Sequence, residues 1–176
     1  EFKLSVSATT RAPREGEVDG ESYFFLTKEK FSEMIGQGGF LEYAQIYSNF
    51  YGTPKGPVMK YLEEGSDVIL EIEMQGARQV KEMYPEAVLI FVLPPSLEEL
   101  RNRLTTRGTE TQEQVNERLS TSFEEIKQVK DYNYFIFNEN NKTTESAKII
   151  EDIIVAEKNK ASRYEKAIIK KFEEEL

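Results

Sequence analysis

The 176 residues carry 32 Asp and Glu against 23 Lys and Arg, a formal net charge of −9, with neither Cys nor His. Without Cys there is no disulfide scaffold and no thiolate metal site; without His there is no Ser-His or Cys-His catalysis and no imidazole-ligated metal. The acidic balance disfavours general nucleic-acid binding, and no apolar run reaches the roughly 18 residues that a membrane span needs.

A hydrophobic fraction of 39%, with 11 Phe and 9 Tyr, is enough for one packed domain over residues 1–176. Phe2 to Ser7 already reads as a strand, so residues are expected ahead of Glu1. Val6 to Thr10 is β-branched and polar by turns. Arg14 to Gly20 is a turn-rich loop with two glycines. Tyr23 to Leu26 is a strand. Thr27 caps a short helix with Phe31, Met34 and Ile35 on one face, ended by Gly36 and Gly38. Aromatic-rich strand segments follow at Phe40 to Tyr47 and at Phe50-Tyr51.

From Pro54 helix and strand alternate. Pro57 to Glu64 reads as helix and stops at Gly65. Val68 to Glu73 reads as a buried strand, Gly76 to Tyr84 as a helix, and Ala87 to Leu93 as an apolar strand covered on both faces. Ser96 with Glu99, and Thr111 with Gln114, are capping boxes; the second opens a helix reaching about Lys130. Tyr134 to Asn138 is a third core strand, and residues 144–176 are one or two amphipathic helices. The βαβα order argues an α/β fold with a parallel sheet flanked by helices, beside a small β-rich part in residues 2–53.

Six of the eight Arg fall in two stretches: Arg11 and Arg14, then Arg101, Arg103, Arg107 and Arg118. Local cationic spots on an acidic chain suit a small phosphate ligand better than a polymer. Ser7-x-x-Thr10-Arg11-x-x-Arg14 can form a phosphate fork, because guanidinium presents paired donors and stays charged; the bland reading is a solvated edge strand. Glu42 is the one acid in the aromatic segment and either faces solvent or takes a donor. Glu71 and Glu73 alternate onto one face at the end of a buried strand, where open α/β sheets place ligands, or are a fortuitous pair. The Arg-rich helices on either side of Gly108-Thr109 suit a mobile lid over a polyphosphate, or are an ordinary helix hairpin.

Order and spacing together are more specific than any one of these. Ser-Val-Ser-Ala-Thr-Thr-Arg-Ala-Pro-Arg-Glu-Gly-Glu-x-Asp-Gly-x-x-Tyr-Phe-Phe runs from Ser5 to Phe25. Gly-x-Phe-Leu-Glu-Tyr-Ala follows from Gly38, Tyr-Gly-Thr from Tyr51 and Asp-Val-Ile-Leu-Glu-Ile-x-x-Gln-Gly-Ala from Asp67. Ile-Phe-x-Leu-Pro-Pro-Ser begins at Ile90, Arg-Leu-x-x-Arg-Gly-Thr-Glu at Arg103 and Tyr-x-Tyr at Tyr132. Over residues 2–157 this resembles guanylate kinase of bacterial type, with a P-loop kinase-like sheet, a GMP-binding subdomain in 2–53, a core in 54–100 and 131–176, and a lid in 101–130.

The resemblance implies transfer of the ATP γ-phosphate to GMP. Ser7, Arg11, Arg14, Tyr23 and Tyr51 would hold the GMP phosphate, while Glu42, Thr53 and Glu73 would read the guanine. Arg103, Arg107 and Arg118, with Arg11, would neutralise the phosphate in transit. Asn138 would lie near the adenine, and Glu71 would sit near the Mg²⁺ that accompanies ATP, through water. The family often has Asp where Glu71 and Glu73 stand. GMP and ATP are the implied partners, with no nucleic acid or membrane, in a cytoplasmic monomer or homodimer. The family also opens with a strand and a Gly-rich loop bearing Lys, ahead of the position of Phe2, and no G-x-x-x-x-G-K-[ST] occurs here. The chain as written is therefore expected to bind GMP and to transfer phosphate poorly, and a non-catalytic protein-binding module of the same fold is the alternative.

Overall fold

The computed structural model describes residues 2–107 and 111–175, apart from the Arg107 side chain. They fall into two units, one up to Leu89 and one from Ile90 onward.

In the first unit, β1 (Phe2–Leu4) pairs in parallel with β6 (Asp67–Ile69), and the Ser5 amide extends the ladder to the Ile69 carbonyl at 3.0 Å. The chain then crosses into a four-stranded sheet of β2 (Ala8–Thr9), β3 (Phe24–Phe25), β4 (Phe40–Ile46) and β5 (Asn49–Pro54), in the order β3-β2-β5-β4. Strands β4 and β5 form a hairpin through Tyr47-Ser48, with Tyr47 in the left-handed region at φ 55°.

Helix α1 (Lys28–Gly36) starts as the sequence predicts: the Thr27 hydroxyl accepts from the Lys30 amide, the bond that an N-cap supplies to an otherwise orphaned donor. Its Phe31 is fully buried, stacked on Phe40 at 4.4 Å and on Phe50 at 5.5 Å. That cluster, with Ala8, holds the helix to the sheet; burying one such ring contributes about 1.5–3 kcal/mol. Helix α2 (Lys55–Glu63) leads back to β6, and α3 (Met74–Met83) follows it.

The predicted strand over Val68 to Glu73 is shorter than expected. Strand β6 ends at Ile69 because its neighbour β1 ends at Leu4, where the chain leaves for the other sheet; Leu70 to Glu73 then lack that ladder. Glu71 and Glu73 are therefore not on a strand face. Both are exposed, and Glu73 is the N-cap residue of α3.

The second unit is built on β7 (Ile90–Leu93) and β8 (Tyr134–Phe137), parallel and in register from Ile90 with Tyr134 to Leu93 with Phe137. Between them lie α4 (Leu97–Arg107) and α5 (Gln112–Ile126), packed through Leu104, Val115 and Leu119. The Thr111–Gln114 capping box is fully formed. The Ser96–Glu99 box is half formed: Ser96 Oγ accepts from the Glu99 amide at 3.0 Å, but the Glu99 carboxylate turns to Arg103 instead of reaching back. Helix α5 stops at Ile126 rather than near Lys130, and a single 3₁₀ turn, Val129–Asp131, precedes β8. Two helices, α6 (Thr143–Lys158) and α7 (Ala161–Glu173), complete the unit. The fold class is the expected one, α/β with parallel strands flanked by helices. Among the described residues no helix is long and apolar enough to cross a membrane.

Candidate functional site

Arg11 follows β2 directly. Thr9 Oγ1 accepts from the Arg11 amide at 3.1 Å and donates to the Phe50 carbonyl at 3.0 Å, which ties the Arg11 backbone to β5. The guanidinium then lies between Glu17 and a pair of rings. Nη2 donates to Glu17 Oε1 at 2.8 Å and Nη1 to Oε2 at 3.0 Å, while Cζ stands 5.5 Å from the Tyr23 ring centroid and 6.0 Å from that of Phe25. The hydrogen bonds that Arg11 donates to Glu17, and a further one with Tyr51, hold the Arg11 pKa above its ordinary value against the opposing effect of burial. Glu17 is held below the usual carboxylate range by Arg11 and by the Arg14 amide, which donates to Oε2 at 2.6 Å.

Tyr23 and Tyr51 meet edge to face at 6.2 Å. The structure thus brings Arg11, Tyr23 and Tyr51 together. The Arg14 side chain is exposed on the loop that Glu17 closes, and the Ser7 carbonyl accepts from the Phe24 amide at 2.9 Å, which sets Ser7 beside β3. Glu17 escaped the sequence reading because an acid in a polar, glycine-containing loop reads as solvated. Its one signal is its place six residues after Arg11.

Glu42 lies in register with Thr53 across β4 and β5 and is 5% exposed. Thr53 Oγ1 donates to Glu42 Oε1 at 2.6 Å. Burial pushes the Glu42 carboxyl above its usual range; the Thr53 hydroxyl and amide pull it back, and the charge of Glu73 adds to the rise. Glu42 and Thr53 are thus joined in the buried part of the hairpin, exposed Glu73 lies close enough for its charge to act on Glu42, and Glu71 is exposed beyond the end of β6. Tyr51 and Thr53, two apart on β5, project from the same face about 7 Å apart along the strand. One strand thus carries a member of the cationic fork and the partner of the buried carboxylate.

In the second unit Arg103 and Asn138 come together. Arg103 Nη2 donates to the Asn138 carbonyl at 2.7 Å and to Asn140 Oδ1 at 2.9 Å, and Nε donates to Glu99 Oε1 at 2.8 Å. Arg103, with help from Asn140, keeps Glu99 below the usual carboxylate range. Arg101 reaches Asn116 at 3.1 Å, and Arg118 is half-buried on α5. The Arg107 side chain and the Gly108–Glu110 segment of the expected lid lie outside the described residues.

The family model for guanylate kinase matches residues 1–157. A guanylate kinase of Clostridioides difficile (strain 630) is 68% identical over 175 residues, 99% of this chain and 84% of its own length. One of Caldanaerobacter subterraneus subsp. tengcongensis is 49% identical over 176 residues, all of this chain and 84% of its own. The crystal structure of guanylate kinase from Anaplasma phagocytophilum matches with a TM-score of 0.72 at 36% identity, over 89% of this chain and 76% of that one. None of these similarities favours the non-catalytic alternative.

Proposed function

The chain belongs to the guanylate kinase family, and from that premise we propose how its residues divide the transfer of the ATP γ-phosphate to GMP, which yields GDP and ADP. The observation that carries the assignment is the pairing on β5. Tyr51 stands with Arg11 and Tyr23, a fork for a phosphate dianion. Thr53 stands with Glu42, a buried acceptor for a base that donates. A nucleoside monophosphate with phosphate at one end and ring N–H donors at the other spans such a face.

On this reading Ser7, Arg11, Arg14, Tyr23 and Tyr51 bind the GMP phosphate, within the part formed by residues 2–53. Glu42 and Glu73 accept from the guanine N1–H and 2-amino groups, with Thr53 holding Glu42. Adenine lacks those donors, so it would leave a buried carboxylate unpaired, at a penalty of about 1–3 kcal/mol or more.

Arg103, Arg107 and Arg118 stand on the ATP side, in the lid of residues 101–130, where their charge offsets the transferring phosphoryl group, and Asn138 borders the adenine. The GMP phosphate oxygen is already a nucleophile, so no covalent enzyme intermediate is required; positioning and charge carry the reaction. Mg²⁺ would arrive with ATP and neutralise donor phosphate charge. Glu71, exposed beyond the end of β6, would act on it through water. A cytoplasmic monomer or homodimer acting on GMP and ATP completes the reading.

A coupled assay of the intact protein with GMP, AMP and UMP tests it. GMP is expected to be the preferred acceptor by a wide margin. AMP or UMP outpacing GMP overturns the assignment.

A further inference from the structure

We propose that Gly76 and Gln79 of α3 determine base selection by seating the Glu42 carboxylate, an inference that rests on Glu42 being the guanine acceptor. Gly76 and Gln79, three residues apart on α3, both face β4, and Glu73 caps the helix ahead of them. Each acts on Glu42 differently. Glu73 raises the Glu42 carboxyl pKa by its charge.

Gly76 meets the carboxylate itself. A Cβ at that position would stand 2.2 Å from Glu42 Oε2, 2.8 Å from its Cδ and 3.1 Å from its Cγ. No side chain fits there unless the carboxylate moves. Moving it breaks the 2.6 Å hydrogen bond that Thr53 donates. The missing side chain at residue 76 therefore sets where Glu42 points, although Gly76 itself contacts no base.

Gln79 fixes the distance between helix and strand. Its Nε2 donates to the Tyr43 carbonyl at 2.9 Å, and its Oε1 accepts from the Tyr43 amide at 3.2 Å. Among the described residues strand β4 is at the edge of its sheet, with β5 on its other side, so these two outward backbone groups have no neighbouring strand there to pair with. The side-chain amide takes that strand's place one residue after Glu42. Helix α3 is thereby pinned to the backbone beside the carboxylate, and Gly76 is kept against it. Both are positioning residues: they act on the base through Glu42.

The test is titration calorimetry of Gly76→Ala, Gln79→Leu and Glu42→Gln with GMP and with IMP, which has the same phosphate and lacks the 2-amino group. A general loss of structure weakens both ligands alike. Displacement of the acceptor weakens GMP more and narrows the preference for GMP over IMP. We expect Gly76→Ala and Gln79→Leu each to narrow that ratio by about tenfold, the loss of one hydrogen bond to a charged acceptor. Thermal melting establishes that each variant is folded; should Gly76→Ala not fold, Gln79→Leu decides. If Glu42→Gln collapses the ratio while folded Gly76→Ala and Gln79→Leu keep the wild-type value, the positioning inference is overturned and the Glu42 reading stands. If Glu42→Gln leaves the ratio unchanged, the reading beneath it fails as well.

Discussion

Arg11 and Glu17 face each other through two parallel hydrogen bonds, with 16% and 20% of their side chains exposed. That geometry needs a planar fork: both guanidinium arms engage one carboxylate, and a ring lies beside them. Arg11→Ala is expected to weaken GMP binding at least tenfold, since a hydrogen bond to a charged group is worth about 1.5–3 kcal/mol. Arg11→Lys should not restore it, because a single ammonium cannot hold Glu17 at two points and still face a phosphate. Calorimetry with GMP reads both, and wild-type affinity in Arg11→Ala would count against the placement of the fork.

The Glu42 carboxyl titrates above its ordinary range because it is buried, and guanine needs it ionised. GMP binding should therefore weaken as pH falls through that raised value, at a higher pH than an ordinary Glu carboxyl at 4.5 would give. Stability runs the other way. Between the ordinary and the raised value the folded state holds a proton that the unfolded chain has released, so stability falls as pH rises through that window. The measurement is GMP affinity against pH in wild type and Glu42→Gln. The phosphate of GMP titrates equally in both, so their difference isolates Glu42. Identical profiles would sink the claim.

Thr53→Val keeps the shape of the side chain and removes its hydroxyl. The bond to Glu42 Oε1 lowers the carboxyl pKa, so its loss should move the midpoint of GMP binding to higher pH and weaken GMP about tenfold near neutrality. The neighbouring fork is untouched, so inorganic phosphate should compete with GMP as well as before relative to the remaining affinity. A midpoint that stays put would mean that the Thr53 amide alone holds the carboxylate.

Local signals were readable where the chain makes its own bonds. Thr27, and Thr111 with Gln114, announced helix starts because a cap is settled within four residues. Arg11, Tyr23 and Tyr51 were legible as a set only through their family-like order, since blind they are an edge strand and an aromatic hairpin. The end of β6 was not legible, because it is set by where β1 stops, more than 60 residues earlier in the chain. Gln79 looks like a surface amide on a polar helix. Its partner is 36 residues away and is a backbone group, which leaves no trace in side-chain pattern. Gly76 carries its information as an absence, visible only once Glu42 is seen against it.

Glu157, near the end of α6, is a buried acceptor for three donors. Tyr134 Oη on β8 donates to Oε1 at 2.7 Å, Lys160 Nζ approaches the same oxygen at 3.0 Å, and Arg163 Nε of α7 donates to Oε2 at 2.8 Å. These donors, Tyr134 foremost, pull its carboxyl down to about 2 against the effect of burial. A carboxyl depressed in the folded state contributes stability that is complete above its unfolded value of 4.5 and is lost as pH falls toward about 2. Glu157→Gln keeps the size and one acceptor and removes the charge, so it should lower stability near neutrality by about 1–3 kcal/mol. Urea unfolding of wild type and variant at pH 6 and pH 2.5 checks both parts. The gap should be largest at pH 6 and shrink at pH 2.5, where the wild-type advantage has mostly gone; a gap independent of pH would show that Glu157 stabilises by shape and not by charge.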